Sequence, residues 1–167
     1  IDDDGKTTAL TDGLLVIRHL FGFSGDALIS GAVATNAKRK TPDAIAEYVE
    51  ANKILLDIDG DGKVTALTDG LLVIRSLFGF SGASLSAGAV GTNSLRSDFT
   101  GVESYLETII DSDNDDINDG FDAFPNNASE SLDTDGDGLG NNRDFDEDCD
   151  GVPDFSDAWP VIALGTR

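Results

Sequence analysis

Ten consecutive residues, ALTDGLLVIR, occur at Ala9–Arg18 and again, letter for letter, at Ala66–Arg75. Any fold of this chain must therefore satisfy the same local sequence twice, 57 residues apart. The similarity extends past the identical block. FGFSG follows at Phe21–Gly25 and at Phe78–Gly82, then a stretch of small residues (DALISGAVATN, ASLSAGAVGTN), then a segment ending in Tyr-x-Glu at Tyr48 and at Tyr105. Two copies of one unit thus fill residues 1–110, divided at 1–56 and 57–110, and leave a tail at 111–167.

Each unit reads as helical. Thr41-Pro42-Asp43 combines a capping hydroxyl, a first-turn proline and a first-turn acid, and Ile45, Tyr48, Val49 and Leu55 follow at helix-compatible spacing up to Leu56. The matching helix of the second unit is predicted over Phe99–Ile110. Asp69–Phe78 predicts a short, mostly buried helix that stops at Gly79. Phe21, Phe23, Phe78 and Phe80, which straddle Gly22 and Gly79, are expected to pack into the core, with a partner surface as the alternative. The tail has a different period: Asp111–Pro125 and Asp146–Pro160 superimpose at an offset of 35, with five acids and a terminal Asp-Ala-aromatic-Pro in register, and DTDGDGLGNNRD lies between them. No helical or strand periodicity links these cassettes. The expected fold is mostly α in the first two-thirds, as two tandem helix-loop-helix units, followed by an irregular loop tail with little regular secondary structure.

Charge is distributed as unevenly as structure. The chain carries 32 Asp and Glu against 11 Lys and Arg, a net charge of −21, and residues 111–167 hold 17 of the acids with 2 of the bases. Such a field repels phosphate backbones and anionic lipid and attracts cations. No run of 18 apolar residues suits a membrane span, and the opening IDDDGKTT is acidic where a secretory signal would be basic and then apolar, so the chain reads as a mature piece or a fragment. The single Cys149 excludes an internal disulfide.

The acids fall at ligand spacing. Asp57-Ile58-Asp59-Gly60-Asp61-Gly62-Lys63-Val64-Thr65 offers side-chain oxygens at loop positions 1, 3, 5 and 9, glycine at 6 and the Lys63 carbonyl at 7. A hard divalent cation takes six to eight oxygens, and a chain supplies them by curling around the ion. Calcium fits this donor set; zinc would want the nitrogen and sulfur that are nearly absent.

With its following amphipathic helix, this loop resembles a dockerin-type calcium repeat, a relative of the EF-hand. The resemblance implies a closing acid at position 12, where Thr68 stands; Asp69 at 13 takes that role if one residue is inserted. By the same alignment the first copy contributes Asp2, Asp4, the Lys6 carbonyl, Thr8 and Asp12, while its position-1 acid would precede Ile1. The tail cassettes resemble thrombospondin type 3 repeats, in which the chain wraps a string of calcium ions. That resemblance implies three ligand sets. They are Asp111, Asp113, Asp115, the Ile117 carbonyl, Asp119 and Asp122; then Asp133, Asp135, Asp137, the Leu139 carbonyl, Asn141 and Asp144; then Asp146, Asp148, Asp150, the Val152 carbonyl, Asp154 and Asp157. About five Ca²⁺ are expected, and without them the tail has too little apolar surface to offset chain entropy.

Other readings carry less. Ile54–Gly60 resembles the strand-plus-DxDG motif of haloacid-dehalogenase-like phosphatases, but a helical unit offers neither their sheet nor their distant lysine. His19, the only histidine, suits a helix end better than catalysis. Asp148 and Asp150 should raise the Cys149 pKa and suppress thiolate chemistry. Phe124 and Trp159 are expected to pack on neighbouring loops, and Asn127-Ala128-Ser129 is a sequon of consequence only in a eukaryote. The expectation is a non-enzymatic, extracellular calcium-binding structural or adhesion module. Its partner is a calcium-dependent protein, cohesin-like and docked on the Leu71, Leu72, Arg75 and Phe78 face, or a second copy of itself in head-to-tail assembly. Nucleic acid and membrane insertion are not expected.

Overall fold

A computed structural model describes residues 1–161; positions 162–167, the end of the expected tail, lie outside it. Regular structure among the described residues is helical, with no strand. A π-turn at Ala9–Gly13 leads into α1 (Leu14–Leu20), followed by α2 (Asp26–Ile29) and α3 (Pro42–Ala51), which ends in a 3₁₀ turn at Lys53–Leu56. Then come α4 (Asp69–Leu77), α5 (Ala83–Ser86) and α6 (Phe99–Glu107), after which the chain runs in turns and bends.

The helix starts follow from their caps. Thr41 is extended and its hydroxyl accepts from the Ala44 N–H, with Pro42 in the first turn; Asp98 does the same for α6, accepting from Gly101 N–H at 2.9 Å. The ends differ from the sequence expectation. α3 stops at Ala51 rather than Leu56 because the Asn52 side-chain amide donates to the Tyr48 carbonyl at 2.8 Å, and the chain then tightens into the 3₁₀ turn. α6 stops at Glu107 rather than Ile110. Its last carbonyls are taken by the tail: Gly120 N–H donates to Glu107 O, the Asn118 amide to Thr108 O and Asp119 N–H to Ile110 O, at 2.6–2.8 Å. α4 ends as expected, where Gly79 turns left-handed (φ +78°) and lets Phe80 N–H reach Arg75 O at 3.0 Å.

Two apolar clusters hold the helices. Leu15, Leu28, Ala32 and Ile45 form one; Leu72, Leu85, Ala89 and Val102, their counterparts 57 residues on, form the other with Ile58, Val73 and Leu106. Each buried leucine contributes about 1.5–3 kcal/mol. The clusters meet where α1 and α4 cross. A Cβ at Gly13 would stand 3.2 Å from Ile74 Cγ1 and Leu77 Cδ1, and one at Gly70 would stand 3.2 Å from Ile17 Cγ1 and 3.3 Å from Leu20 Cδ1. The same residues make the contact in both directions, so the crossing has local two-fold character.

The phenylalanines are not core, and the face offered for docking is only partly exposed. Phe21, Phe23, Phe78 and Phe80 are about half exposed, between 48% and 54%, because the turn after each helix carries them off the cores. Leu72 is fully buried, and Arg75 donates to the carbonyls of Leu85 and Ala87 at 2.8 and 2.9 Å, as Arg18 does to Leu28 and Ser30. Of the face offered for docking, Phe78 is the residue left well exposed. Trp159 is also exposed, while Phe124 is half-buried.

Candidate metal centres

Five loops share one backbone path. At position 4 stand Asp3, Gly60, Asn114, Gly136 and Cys149, with φ between +55° and +78°; at position 6 stand Gly5, Gly62, Asp116, Gly138 and Gly151, with φ between +75° and +92°. Two left-handed residues flanking position 5 curl the chain so that alternate side chains converge. Side-chain oxygens at positions 1, 3 and 5 are accordingly within 4.8 Å of one another in four loops: Asp57/Asp59/Asp61, Asp111/Asp113/Asp115, Asp133/Asp135/Asp137 and Asp146/Asp148/Asp150. These four Asp triplets could each hold a metal ion. In the first loop Asp2 and Asp4 take the places of Asp59 and Asp61.

Hydrogen bonds fix the curl in the same register each time. The position-1 carboxylate accepts from the position-6 N–H, at 3.0–3.1 Å, in all four triplet loops. In all five loops the position-5 carboxylate accepts from the position-7 N–H, at 2.7–2.9 Å, from Lys6, Lys63, Ile117, Leu139 and Val152. In the tail, position 9 closes the loop. Asp119, Asn141 and Asp154 accept on their side chains from the N–H of Ser112, Thr134 and Glu147, and their own N–H groups donate to the carbonyl just before each loop. Position 12 turns onward: Asp122, Asp144 and Asp157 accept from the N–H two residues later.

The helical loops close differently. Gly13 N–H bonds Thr8 O and Gly70 N–H bonds Thr65 O, five residues back, so one extra residue is taken up as a π-turn before the helix. This is where the sequence required an insertion. The turn carries Asp69 inward, fully buried, where it accepts from Ile58 N–H at 2.8 Å, Thr65 N–H at 2.9 Å and the Thr68 hydroxyl at 2.7 Å. Asp12 repeats this with the Ile1 amine, Thr8 N–H and the Thr11 hydroxyl. Neither acid belongs to a triplet. Both tie the position-2 nitrogen to the helix start, the task that position 9 performs in the tail. The hydroxyls of Thr8 and Thr65 pair with Thr11 and Thr68 and accept from their N–H groups.

A latch lies behind each helical loop. Arg96 donates through Nε to Ile58 O and through Nη2 to Asp57 O, its N–H donates to Asp59 O at 2.9 Å, and its guanidinium stacks 3.9 Å from the Tyr105 ring centre. Gly91 N–H donates to Asp59 Oδ2 at 2.6 Å. Arg39, Tyr48 and Ala34 repeat the arrangement against Ile1 and Asp2. These residues, and the buried Glu130, are absent from the sequence-derived set. The signal for the arginines was present, since Arg39/Arg96 and Tyr48/Tyr105 all recur at the 57-residue offset.

The electrostatics point to a cation. Six buried carboxylate oxygens of the loops have no hydrogen-bond donor: Asp2 Oδ1, both oxygens of Asp113, Asp122 Oδ2, Asp146 Oδ1 and Asp148 Oδ2; Glu130 Oε1 is a seventh outside them. A buried anion without a partner is costly, so a donor set of this kind suits a positive ion, and its all-oxygen composition suits a hard one. Loss of solvent and then repulsion from neighbouring acids raise the pKa of Asp113, Glu147 and Asp148. Cys149 is raised too, as expected, but chiefly by Asp135 of the preceding loop rather than by its flanking acids. His19 bonds Glu50 Oε1 at 2.9 Å. No helix among the described residues is long and apolar enough to cross a membrane. No family model, curated protein or solved structure matches the chain.

Proposed function

We propose that this chain is an extracellular calcium-binding structural and adhesion module, without enzymatic activity, in which about five Ca²⁺ fold and rigidify the polypeptide. The observation that carries this reading is the set of buried, donor-less carboxylate oxygens in three of the five loops of one backbone path, at position 3 in Asp2, Asp113 and Asp148 and at positions 1 and 12 in Asp146 and Asp122. In this reading the carboxylates at positions 1, 3 and 5 and the carbonyl at position 7 hold the ion, in the manner of dockerin-type repeats over residues 1–110 and of thrombospondin type 3 repeats over 111–160. The ion supplies the countercharge that the tail lacks, so binding free energy becomes folding free energy there. Weak calcium affinity, about 10⁻⁴–10⁻³ M for extracellular modules, would suit the location. Native mass spectrometry in calcium should count the ions, and small-angle scattering should show compaction on their addition; absence of both sinks the proposal.

A second reading is a docking module for a cohesin-like partner, or a subunit that assembles head to tail and completes the next copy's first loop. The half-exposed phenylalanines in equivalent places after α1 and α4 favour it. Light scattering in calcium that finds monomers alone removes the self-assembly branch, and Phe78→Ser should weaken any calcium-dependent partner.

A further inference from the structure

We infer that Arg96 and Gly91, about thirty residues downstream of the loop they serve, are positioning residues that set the cation affinity of the 57–65 loop; this rests on the calcium reading above. Three consecutive carbonyls of that loop, at positions 1, 2 and 3, are bonded by one residue: Asp57 and Ile58 by the Arg96 guanidinium, Asp59 by the Arg96 N–H. Because the guanidinium engages carbonyls, the carboxylates of Asp57, Asp59 and Asp61 remain available to an ion. Tyr105 holds the guanidinium plane from the other side and anchors its own hydroxyl on Leu55 O at 3.0 Å, so the clamp is fastened to α6 and to the segment entering the loop. A planar fork stacked on an aromatic ring is a geometry that lysine does not reproduce.

Gly91 works on the carboxylates directly. Its N–H fixes Asp59 Oδ2, and a Cβ there would lie 2.5 Å from Asp61 Oδ2 and 3.1 Å from Asp59 Oδ2. Glycine at 91 is therefore what allows two candidate ligands to sit against the latch. The first unit has Ala34 at the equivalent position. The clamp recurs there, and Ala34 N–H likewise donates to Asp2 Oδ2, at 2.8 Å.

The test is a calcium titration of the full chain followed by ¹⁵N–¹H correlation spectra, reading the Gly60 and Gly62 amides for this loop and Gly136 and Gly138 for a tail loop. Outer-shell partners typically change metal affinity by about 10- to 100-fold. Arg96→Gln is expected to raise the calcium midpoint at Gly60 and Gly62 by about tenfold or more, Arg96→Lys by less, and Arg39→Gln not at all, with the Gly136 and Gly138 midpoints unmoved. Gly91→Ala, which leaves the clamp in place, is expected to raise the same midpoint and serves if Arg96→Gln fails to fold. Unchanged midpoints in a folded Arg96→Gln or in Gly91→Ala overturn the inference. A purely structural role is recognised by a lower calcium-free melting temperature with an unchanged midpoint, which also overturns it. Wild-type Gly60 and Gly62 amides that ignore calcium refute the calcium reading for this loop, whatever the variants do.

Discussion

Asp69 offers the sharpest test of how the helical units are held. It is fully buried, and its carboxylate accepts from the backbone N–H groups of Ile58 and Thr65, from that of Asp59 at a longer 3.5 Å, and from the Thr68 hydroxyl. Replacing it by alanine leaves the buried Ile58 N–H without a partner, whereas the part-buried Thr65 N–H can turn to water and the hydroxyl can rotate to another acceptor. At about 1–3 kcal/mol for the orphaned Ile58 donor and about 0.5–1.5 kcal/mol for the lost hydrogen bond of Thr65, Asp69→Ala should cost about 1.5–4.5 kcal/mol. That is a large part of the 5–15 kcal/mol typical of a whole domain. With about 4–8 °C per kcal/mol for a unit of roughly 100 residues, close to the size of the paired helical units, the melting temperature should fall by roughly 6 °C or more. Asp69→Asn keeps one acceptor oxygen and should lose about half as much. Thermal unfolding followed by far-UV circular dichroism, in chelator and again in millimolar calcium, reads the effect. The hydrogen-bond role requires the loss in both conditions. Stability within about 1 kcal/mol of wild type in chelator would refute it, and a loss confined to calcium would make Asp69 a ligand first.

Three further outcomes follow from the geometry. Cys149 is a non-glycine residue held at φ +55°, a conformation costing about 1–2 kcal/mol, so Cys149→Gly should stabilise the calcium-loaded tail by about that amount in denaturant titration, and no gain would contradict the shared backbone path. Asp113, Glu147 and Asp148 have folded-state pKa values above the ordinary 3.8 or 4.5. The metal-free tail should therefore become more compact as pH falls from neutral through those raised values, with the gain complete below the ordinary ones; on the calcium reading, protons would compete with the ion, and acidification in calcium should expand it. Scattering across pH in both conditions checks the opposite signs. Finally, Gly70→Leu places a large side chain where even a Cβ stands 3.2 Å from Ile17, and overpacking of this kind should cost about 1–3 kcal/mol in urea unfolding, while an unchanged midpoint would mean that α1 and α4 do not pack as described.

The parts of the fold legible in the sequence are those dictated by local chemistry. Thr41-Pro42-Asp43 marks a helix start because it satisfies the first N–H groups from within three residues, and Gly79 marks an end because it alone turns left-handed cheaply. The alternating acids likewise converge as their spacing implies. What escaped was non-local. The end of α6 is set by Asn118, Asp119 and Gly120 reaching back from the tail, and the Arg96 clamp joins residues nearly forty positions apart. The phenylalanines of FGF look like core by composition, but whether a helix end faces the core depends on the next turn. Left-handed backbone at Asp3, Asn114, Asp116 and Cys149 was hidden for a related reason: glycine advertises that conformation and these residues do not.

The crossing of α1 and α4 has a consequence for how such a chain holds together. A patch that fits its own duplicate also fits itself, so one unit alone carries both halves of the contact around Gly13 and Gly70. Between separate molecules that contact would depend on protein concentration. Joined in one chain, its partner is always present at an effective concentration fixed by the tether, and dilution cannot separate the pair.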